Sequence, residues 1–210
     1  MSKSVDRDWA AYYRANVGRA PRDWLQVALD LCGPAGEITR RAVDLGCGDG
    51  TETLALLDAG WRVLAVDRQP EAIRWVRERT PAGQASRLEL QNAPFESATL
   101  GAADLIYAYA SLPFSLPADF PATWQKVRAA LNPGGRFAGQ IFGVRDEWAE
   151  DTRMTFLTVE QARALLEGLE IERFDEFDGQ GNSFLGSKHW HYFNIVARNP
   201  TARRATLPGN

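Results

Sequence analysis

The sequence predicts an α/β fold: a seven-stranded, mostly parallel sheet with an antiparallel last strand and helices on both faces. Three observations predict it. Short apolar runs alternate with stretches whose apolar residues recur at helical spacing. The first apolar run, Ala42 to Leu45, ends in the glycine-rich segment Gly46-Cys47-Gly48-Asp49-Gly50. The last two runs, Ile171 to Phe177 and Trp190 to Ala197, have no helical stripe between them and should therefore pair antiparallel.

Taken in order, Trp24, Val27, Ala28 and Leu31 sit at i, i+3, i+4 and i+7 on one helical face, and Gly33-Pro34 ends that helix. Ala42 to Leu45 reads as a buried strand, followed by a helix from about Thr51 to Gly60. Arg62 to Val66 is a second strand. Pro70 suits the first turn of the next helix, whose inner face includes Ala72, Ile73 and Val76. Leu88 to Leu90 and Leu105 to Ala110 are the third and fourth strands. Trp124, Val127 and Leu131 repeat the helical stripe, and the turn Asn132-Pro133-Gly134-Gly135 leads into a fifth strand, Phe137 to Phe142. Thr158 and Gln161 form a capping box ahead of Ala162, Leu165, Leu166 and Leu169. Strands six and seven follow, joined by a polar, glycine-rich loop from Asp178 to Lys188. Residues 21–198 thus read as one domain, residues 1–20 as a segment placed to act as a lid, and residues 199–210 as a flexible tail.

Composition narrows the function. The 210 residues carry 24 basic and 27 acidic side chains, a net charge of −3, which argues against a nucleic-acid partner. Cys32 and Cys47 form no C-x-x-C pair and there are only two histidines, so no metal site is expected and a reducing, cytoplasmic setting suits the chain. The polar start and the lack of a long apolar window predict neither a signal peptide nor a membrane span.

The glycine-rich turn carries the chemistry. Glycines there permit positive φ and let a ligand approach the backbone, whose N–H groups can bind its polar atoms. The spacing is G-x-G-x-G; a dinucleotide fingerprint would need its last glycine at Thr51, which counts against NAD and FAD. Asp67 ends the second strand about 20 residues downstream. A carboxylate there can accept hydrogen bonds from both hydroxyls of a ribose, as any adenosine ligand would require.

These residues resemble a known family. Val43-Asp44-Leu45-Gly46-Cys47-Gly48-Asp49-Gly50, Val63-Leu64-Ala65-Val66-Asp67 and Leu131-Asn132-Pro133-Gly134-Gly135-Arg136 resemble, in order and spacing, three motifs of the class I S-adenosylmethionine-dependent methyltransferases. The resemblance runs from about Trp24 to Arg198, and the ending Lys188-His189-Trp190-His191-Tyr192-Phe193 is similar to the small single-domain branch that includes tellurite-resistance methyltransferases. It implies a Rossmann-like sheet, S-adenosylmethionine as cofactor, and in-line methyl transfer to a small-molecule acceptor by a monomer or homodimer. It also implies residue roles. Asp44 would orient the methionine ammonium, and Gly46, Cys47 and Gly48 would line the methionine with backbone. Asp67 would hold the ribose and Arg68 would flank the adenine. Asn92 stands where the family has aspartate and would accept from the adenine amine, with Ala93 offering its N–H to the ring. Ala108 and Tyr109 would face the sulfonium.

The candidates for the acceptor site are Ser111 to Phe114 after strand four, Phe142, Gly143 and Arg145 after strand five, His189 beside the last loop, and Trp9, Tyr12, Tyr13 and Arg19 in the lid segment. His189 and His191 share one face of the last strand; both read more simply as structural, with His189 the better site candidate. Trp190 and Tyr192, on the opposite face, read as core. Cys47 reads as a small packing residue. A nicotinamide-dependent oxidoreductase and a non-catalytic S-adenosylmethionine-binding module are the competing functions. Methylation of protein or RNA is disfavoured by the chain's small size, acidic balance and lack of an extra recognition domain.

Overall fold

Strand burial explains the architecture. In β1 (Arg41–Leu45) and β2 (Arg62–Asp67) nearly every residue is buried, as expected of parallel strands covered on both faces. The computed structural model describes residues 7–33 and 40–200. Its sheet runs β3-β2-β1-β4-β5-β8-β7, with β3 (Leu88–Asn92), β4 (Ala103–Ala108), β5 (Leu131–Gly143), β7 (Glu170–Ser183) and β8 (Gly186–Arg198). β1 to β5 are mutually parallel, and β8 is antiparallel to both β5 and β7. The sequence missed one strand, the two-residue β6 (Phe156–Leu157), which pairs with the end of β5.

Alternate residues of the strands feed different layers. Val43, Leu45, Ile106, Phe137 and Ile141 pack under α5 (Phe120–Ala130) and α6 (Val159–Leu165). Ala42, Val63, Leu105 and Tyr107 pack under α2 (Asp23–Cys32) and α3 (Thr51–Asp58). Ile73 and Val76 of α4 (Pro70–Arg79) cover Ala65 and Cys47. The capping box at Thr158 forms in both directions, through Thr158 N–H to Gln161 at 2.9 Å and Gln161 N–H to Thr158 at 3.2 Å. The Asn132–Gly135 turn is spliced into β5: pairing with β4 steps from Ala103–Leu131 to Leu105–Arg136.

Two boundaries differ from the sequence reading. Asp178–Lys188 is not a loop. β7 and β8 continue as a hairpin arm, with Asp178 opposite His191, Gly179 opposite Trp190 and Gly181 opposite Lys188, and only Phe184-Leu185 at the turn. The glycines look like loop residues, yet they make room for rings: a Cβ on Gly181 would lie 2.9 Å from the Trp190 ring. The second difference is at the tail, where Asn199 hydrogen-bonds the backbone of Gly134 and Gly135. The rest of the expected tail, 201–210, lies outside the described residues, as do 1–6 of the lid segment. Among the described residues no helix is long and apolar enough to cross a membrane.

The chain moves outward from β1 to β2 and β3, then returns to β4 on the other side of β1. That reversal opens a crevice beyond the carboxyl ends of β1 and β4, where open parallel sheets bind ligands.

Candidate active site

The floor of the crevice is the glycine turn after β1. The N–H groups of Gly46 and Cys47 both donate to the Val66 carbonyl, at 2.8 and 3.0 Å, which ties the turn to β2. Gly46 has φ +88°, and a Cβ there would sit 2.4 Å from the Ser111 Cβ, so no other residue fits. Gly48 has φ +51° and lies under the Tyr13 ring.

Asp67 closes one end of this floor. It accepts the Gly48 N–H at 3.0 Å, the Gln69 N–H at 2.8 Å and, loosely, the Tyr13 hydroxyl at 3.5 Å. Burial pushes its carboxyl up from the ordinary value, and the two N–H donors oppose that. The surrounding cavity, of about 560 Å³, is lined by Gly46, Cys47, Gly48, Asp67, Arg68 and Tyr109. Tyr13, Arg19 and Phe114 also line it, though they were expected at the acceptor. Arg19 holds Glu52 through a two-pronged pair of 2.7 and 2.5 Å beside the glycine turn. Burial drives the Cys47 thiol well above its usual value, which leaves it an inert packing group.

Four expected cofactor contacts do not line the cavity. Asp44 is buried and accepts the Thr53 hydroxyl at 2.6 Å, and it does not line the cavity. Burial, reinforced by Glu52, pushes its carboxyl up to about 7 against the Thr53 bond. The Asn92 amide and the Ala93 N–H, given above as partners of an adenine, both donate to the Asp67 carbonyl, at 2.9 and 3.1 Å. Ala108 is fully buried beneath the crevice. The sequence reading missed Pro94, Phe95 and Glu96 just past β3 and Ala110 just past β4, whereas Ser111, expected at the acceptor, lines this cavity. The strand-end rule that selected Phe114 would have found them. Ala110 is the one non-glycine residue with positive φ (+50°) among the described residues, a conformation costing of order 1–3 kcal/mol. It turns the chain across the crevice.

A second cavity, of about 530 Å³, adjoins the first and shares with it Arg7, Trp9, Tyr12, Arg22, Tyr109, Ala110 and Phe114. α1 (Trp9–Asn16), capped by Asp8 at 2.9 Å, lies along both, so the lid segment's described residues do meet the crevice. Phe142 lines the second cavity as expected. So do Trp190 and Tyr192, which are half-buried walls and not core. Behind that wall the Lys188 ammonium sits 3.8 Å from the centres of both the Trp148 and Trp190 rings and pairs with buried Asp146; burial pulls its pKa down.

Arg145 and His189 line neither cavity. They lie on the opposite face of the hairpin, where Arg145 binds Asp178 at 2.6 Å and Glu176 at 2.7 Å and His189 meets Asp178 at 2.6 Å. His191 on that face is fully buried. Its Nδ1 accepts the Arg145 N–H at 3.0 Å, so a neutral ring donates from Nε2 to Glu176, also at 3.0 Å. Glu176, Asp178 and His191 bring ligand-type atoms within 4.8 Å of one another, but the Arg145 guanidinium already holds both carboxylates.

The chain is similar to known proteins. A family model described as a methyltransferase domain matches residues 43–137, which span the glycine turn, Asp67 and the strand-four tip. A trans-aconitate 2-methyltransferase of Paracidovorax citrulli is 36% identical over 107 residues, covering 50% of this chain and 40% of that protein. An uncharacterised methyltransferase of Mycobacterium tuberculosis is 30% identical over 147 residues, covering 70% of this chain and 55% of its own length. The chain thus spans about half the length of the curated relatives it matches. Among solved structures, TehB from Haemophilus influenzae superposes with a TM-score of 0.69 at 17% identity, over 90% of this chain and 66% of that one. The N-methyltransferase NodS from Bradyrhizobium japonicum, in complex with S-adenosylhomocysteine, gives 0.66 at 19% identity, over 92% of this chain and all of that one. At such identities these two likenesses speak for the fold.

Proposed function

We propose that the chain is a class I S-adenosylmethionine-dependent methyltransferase, as its similarity to a methyltransferase-domain model and to named methyltransferases supports, and that it transfers the cofactor's methyl group to a small molecule held in the second cavity. One observation supports this above the rest: the glycine-and-Asp67 cavity opens into an aromatic cavity through a shared wall at Tyr109, Ala110 and Phe114. A donor in one and an acceptor in the other would meet there. The relatives named for trans-aconitate point the same way, toward a small acceptor and not a macromolecule.

The residues of the first cavity fit the cofactor. Backbone without side chains at Gly46 and Gly48 suits the methionine portion, Asp67 the ribose hydroxyls, and Arg68, Gln69 and Phe95 the adenine. The cofactor brings a methyl group on a positively charged sulfur, already primed to leave. The protein's share is then alignment and exclusion of water. Holding the two partners in line is worth roughly 7–11 kcal/mol. Tyr109, packed against Gln140 and Arg22, presents a fixed ring at the junction, and an aromatic face beside a cation contributes about 0.5–2 kcal/mol.

The lining also limits the chemistry. Among the described residues no histidine lines the second cavity, and the one lining carboxylate, Asp8, is engaged in capping α1. Burial raises the Tyr109 and Tyr192 hydroxyls, so they remain donors near neutrality. The acceptor must therefore bring an atom that is nucleophilic without a protein base. Calorimetry should show binding of S-adenosylhomocysteine, and labelled S-adenosylmethionine offered with phenols, thiols, amines and carboxylic acids should yield a methylated product. Binding without turnover on any acceptor would favour a non-catalytic module instead.

A further inference from the structure

We propose that the acceptor is a flat aromatic acid whose anionic oxygen pairs with Arg22. The inference rests on the methyltransferase reading for its reaction, but its geometry stands alone. Ten of the 21 residues lining the second cavity are aromatic, among them Trp148, Phe177, Phe184 and Trp190. A lining this rich in rings favours a flat apolar body.

Charge selects what that body bears. Ring faces alone can hold a cation, but among the described residues two guanidinium groups, Arg7 and Arg22, line this cavity against a single carboxylate, the helix cap Asp8. Arg22 stands at the junction of the two cavities. Its guanidinium lies 5.0 Å above the Tyr109 ring and donates to the Tyr12 hydroxyl at 3.2 Å. Among the described residues no carboxylate lies within ion-pair distance of it. Glu52 accepts only the Arg22 backbone N–H, at 3.2 Å, and gives its carboxylate to Arg19. A half-buried guanidinium fixed by a ring and a hydroxyl, with donors left over and no protein anion, is a site for a planar oxyanion.

The position of Arg22 puts that oxyanion beside the point of transfer. An anionic oxygen there needs no base. Its lone pair forms the new C–O bond while the S–CH3 bond breaks, the electrons of that bond neutralise the sulfonium, and no proton moves. This agrees with the lack of a general base in the lining.

The test is calorimetric titration of the whole chain, with and without S-adenosylhomocysteine, using 2-naphthoate, its neutral amide, (2-naphthylmethyl)trimethylammonium and citrate. Naphthoate is expected to bind at least tenfold more tightly than each of the others. Arg22→Gln should reduce naphthoate to the level of the amide while shifting S-adenosylhomocysteine affinity less than twofold, and Arg22→Lys should fall between. Equal binding of acid and amide, preference for the ammonium, or citrate binding as well as naphthoate would overturn the proposal. So would an Arg22→Gln variant that loses the cofactor product as severely as the acid. If a variant does not fold, the wild-type series decides by itself. Wild-type protein that ignores S-adenosylhomocysteine yet separates acid from amide would instead refute the methyltransferase reading and leave this one standing.

Discussion

Asp67→Asn tests the ribose role with the smallest change of shape. The carboxylate offers about four lone-pair sites. Gly48 and Gln69 fill two of them, at 3.0 and 2.8 Å, and the Tyr13 hydroxyl at 3.5 Å is too long to compete with a ligand hydroxyl. Two ribose hydroxyls can therefore be accepted without breaking the backbone bonds. An asparagine has one acceptor oxygen, and its NH2 would face either a backbone N–H or a hydroxyl that must turn round. The loss is one charge-assisted hydrogen bond, about 1.5–3 kcal/mol, or roughly 10- to 150-fold in affinity. In the empty protein the amide gives up one of the two backbone bonds, since Gly48 and Gln69 reach different oxygens, but it also removes a buried charge, so the two effects largely offset. Burial raises the Asp67 carboxyl, so folding favours its protonated form; that contribution is complete below the ordinary carboxylate range and is lost as pH rises through the raised value, which leaves the charge a burden near neutrality. Calorimetry with S-adenosylhomocysteine and a thermal melt should show weakened binding with a melting temperature moved by only a few degrees. Unchanged affinity would refute the ribose role, and a collapsed fold would show that Asp67 is chiefly a tie between the turn and β2.

Other tests follow from the same geometry. Asp44, with its carboxyl raised to about 7, stabilises the fold in its protonated form; that contribution is complete below the ordinary value near 3.8 and is lost as pH rises through about 7. Melts of the ligand-free protein should therefore decline from pH 5.5 to 8, and Asp44→Asn should flatten the decline; an unchanged slope would assign it to other groups. Lys188→Met leaves Asp146 buried and unpaired, which should cost about 3–5 kcal/mol and lower the melting temperature by roughly 6–20 °C. Adding Asp146→Asn should restore part of that, and no recovery would mean that packing between the tryptophans dominates. His189→Ala should leave both S-adenosylhomocysteine and naphthoate affinity unchanged, because the ring faces Asp178 and not a cavity; loss of either would mean that the hairpin swings over during binding.

What the sequence could and could not reveal divides by range. The glycine turn and Asp67 were legible because strand, turn and helix signals lie within one local stretch, and a steric demand such as that at Gly46 leaves only one residue type. The alternation of β8 was legible too: His189 and His191 do point away from Trp190 and Tyr192. Which side would be covered was not. His191 is sealed because Gly143, on another strand, leaves a hole where a Cβ would lie 2.0 Å from its Nδ1. Trp190 stays at a wall because the partners it meets are Trp148 and Lys188 at the foot of a projecting arm. Asp44 shows the same limit in the cofactor cavity: the motif placed it along the chain, but burial and the Thr53 hydroxyl claim its side chain. The first cavity is built mainly from strand ends and so was largely written in local pattern. The second is built from α1, Phe142, Trp148 and the hairpin, segments more than a hundred residues apart, and only their convergence makes a pocket. Acceptor choice is thus held in contacts between distant segments, which is why donor chemistry can be read from a motif and the acceptor must be sought in the shape and charge that Arg22 and the surrounding rings create.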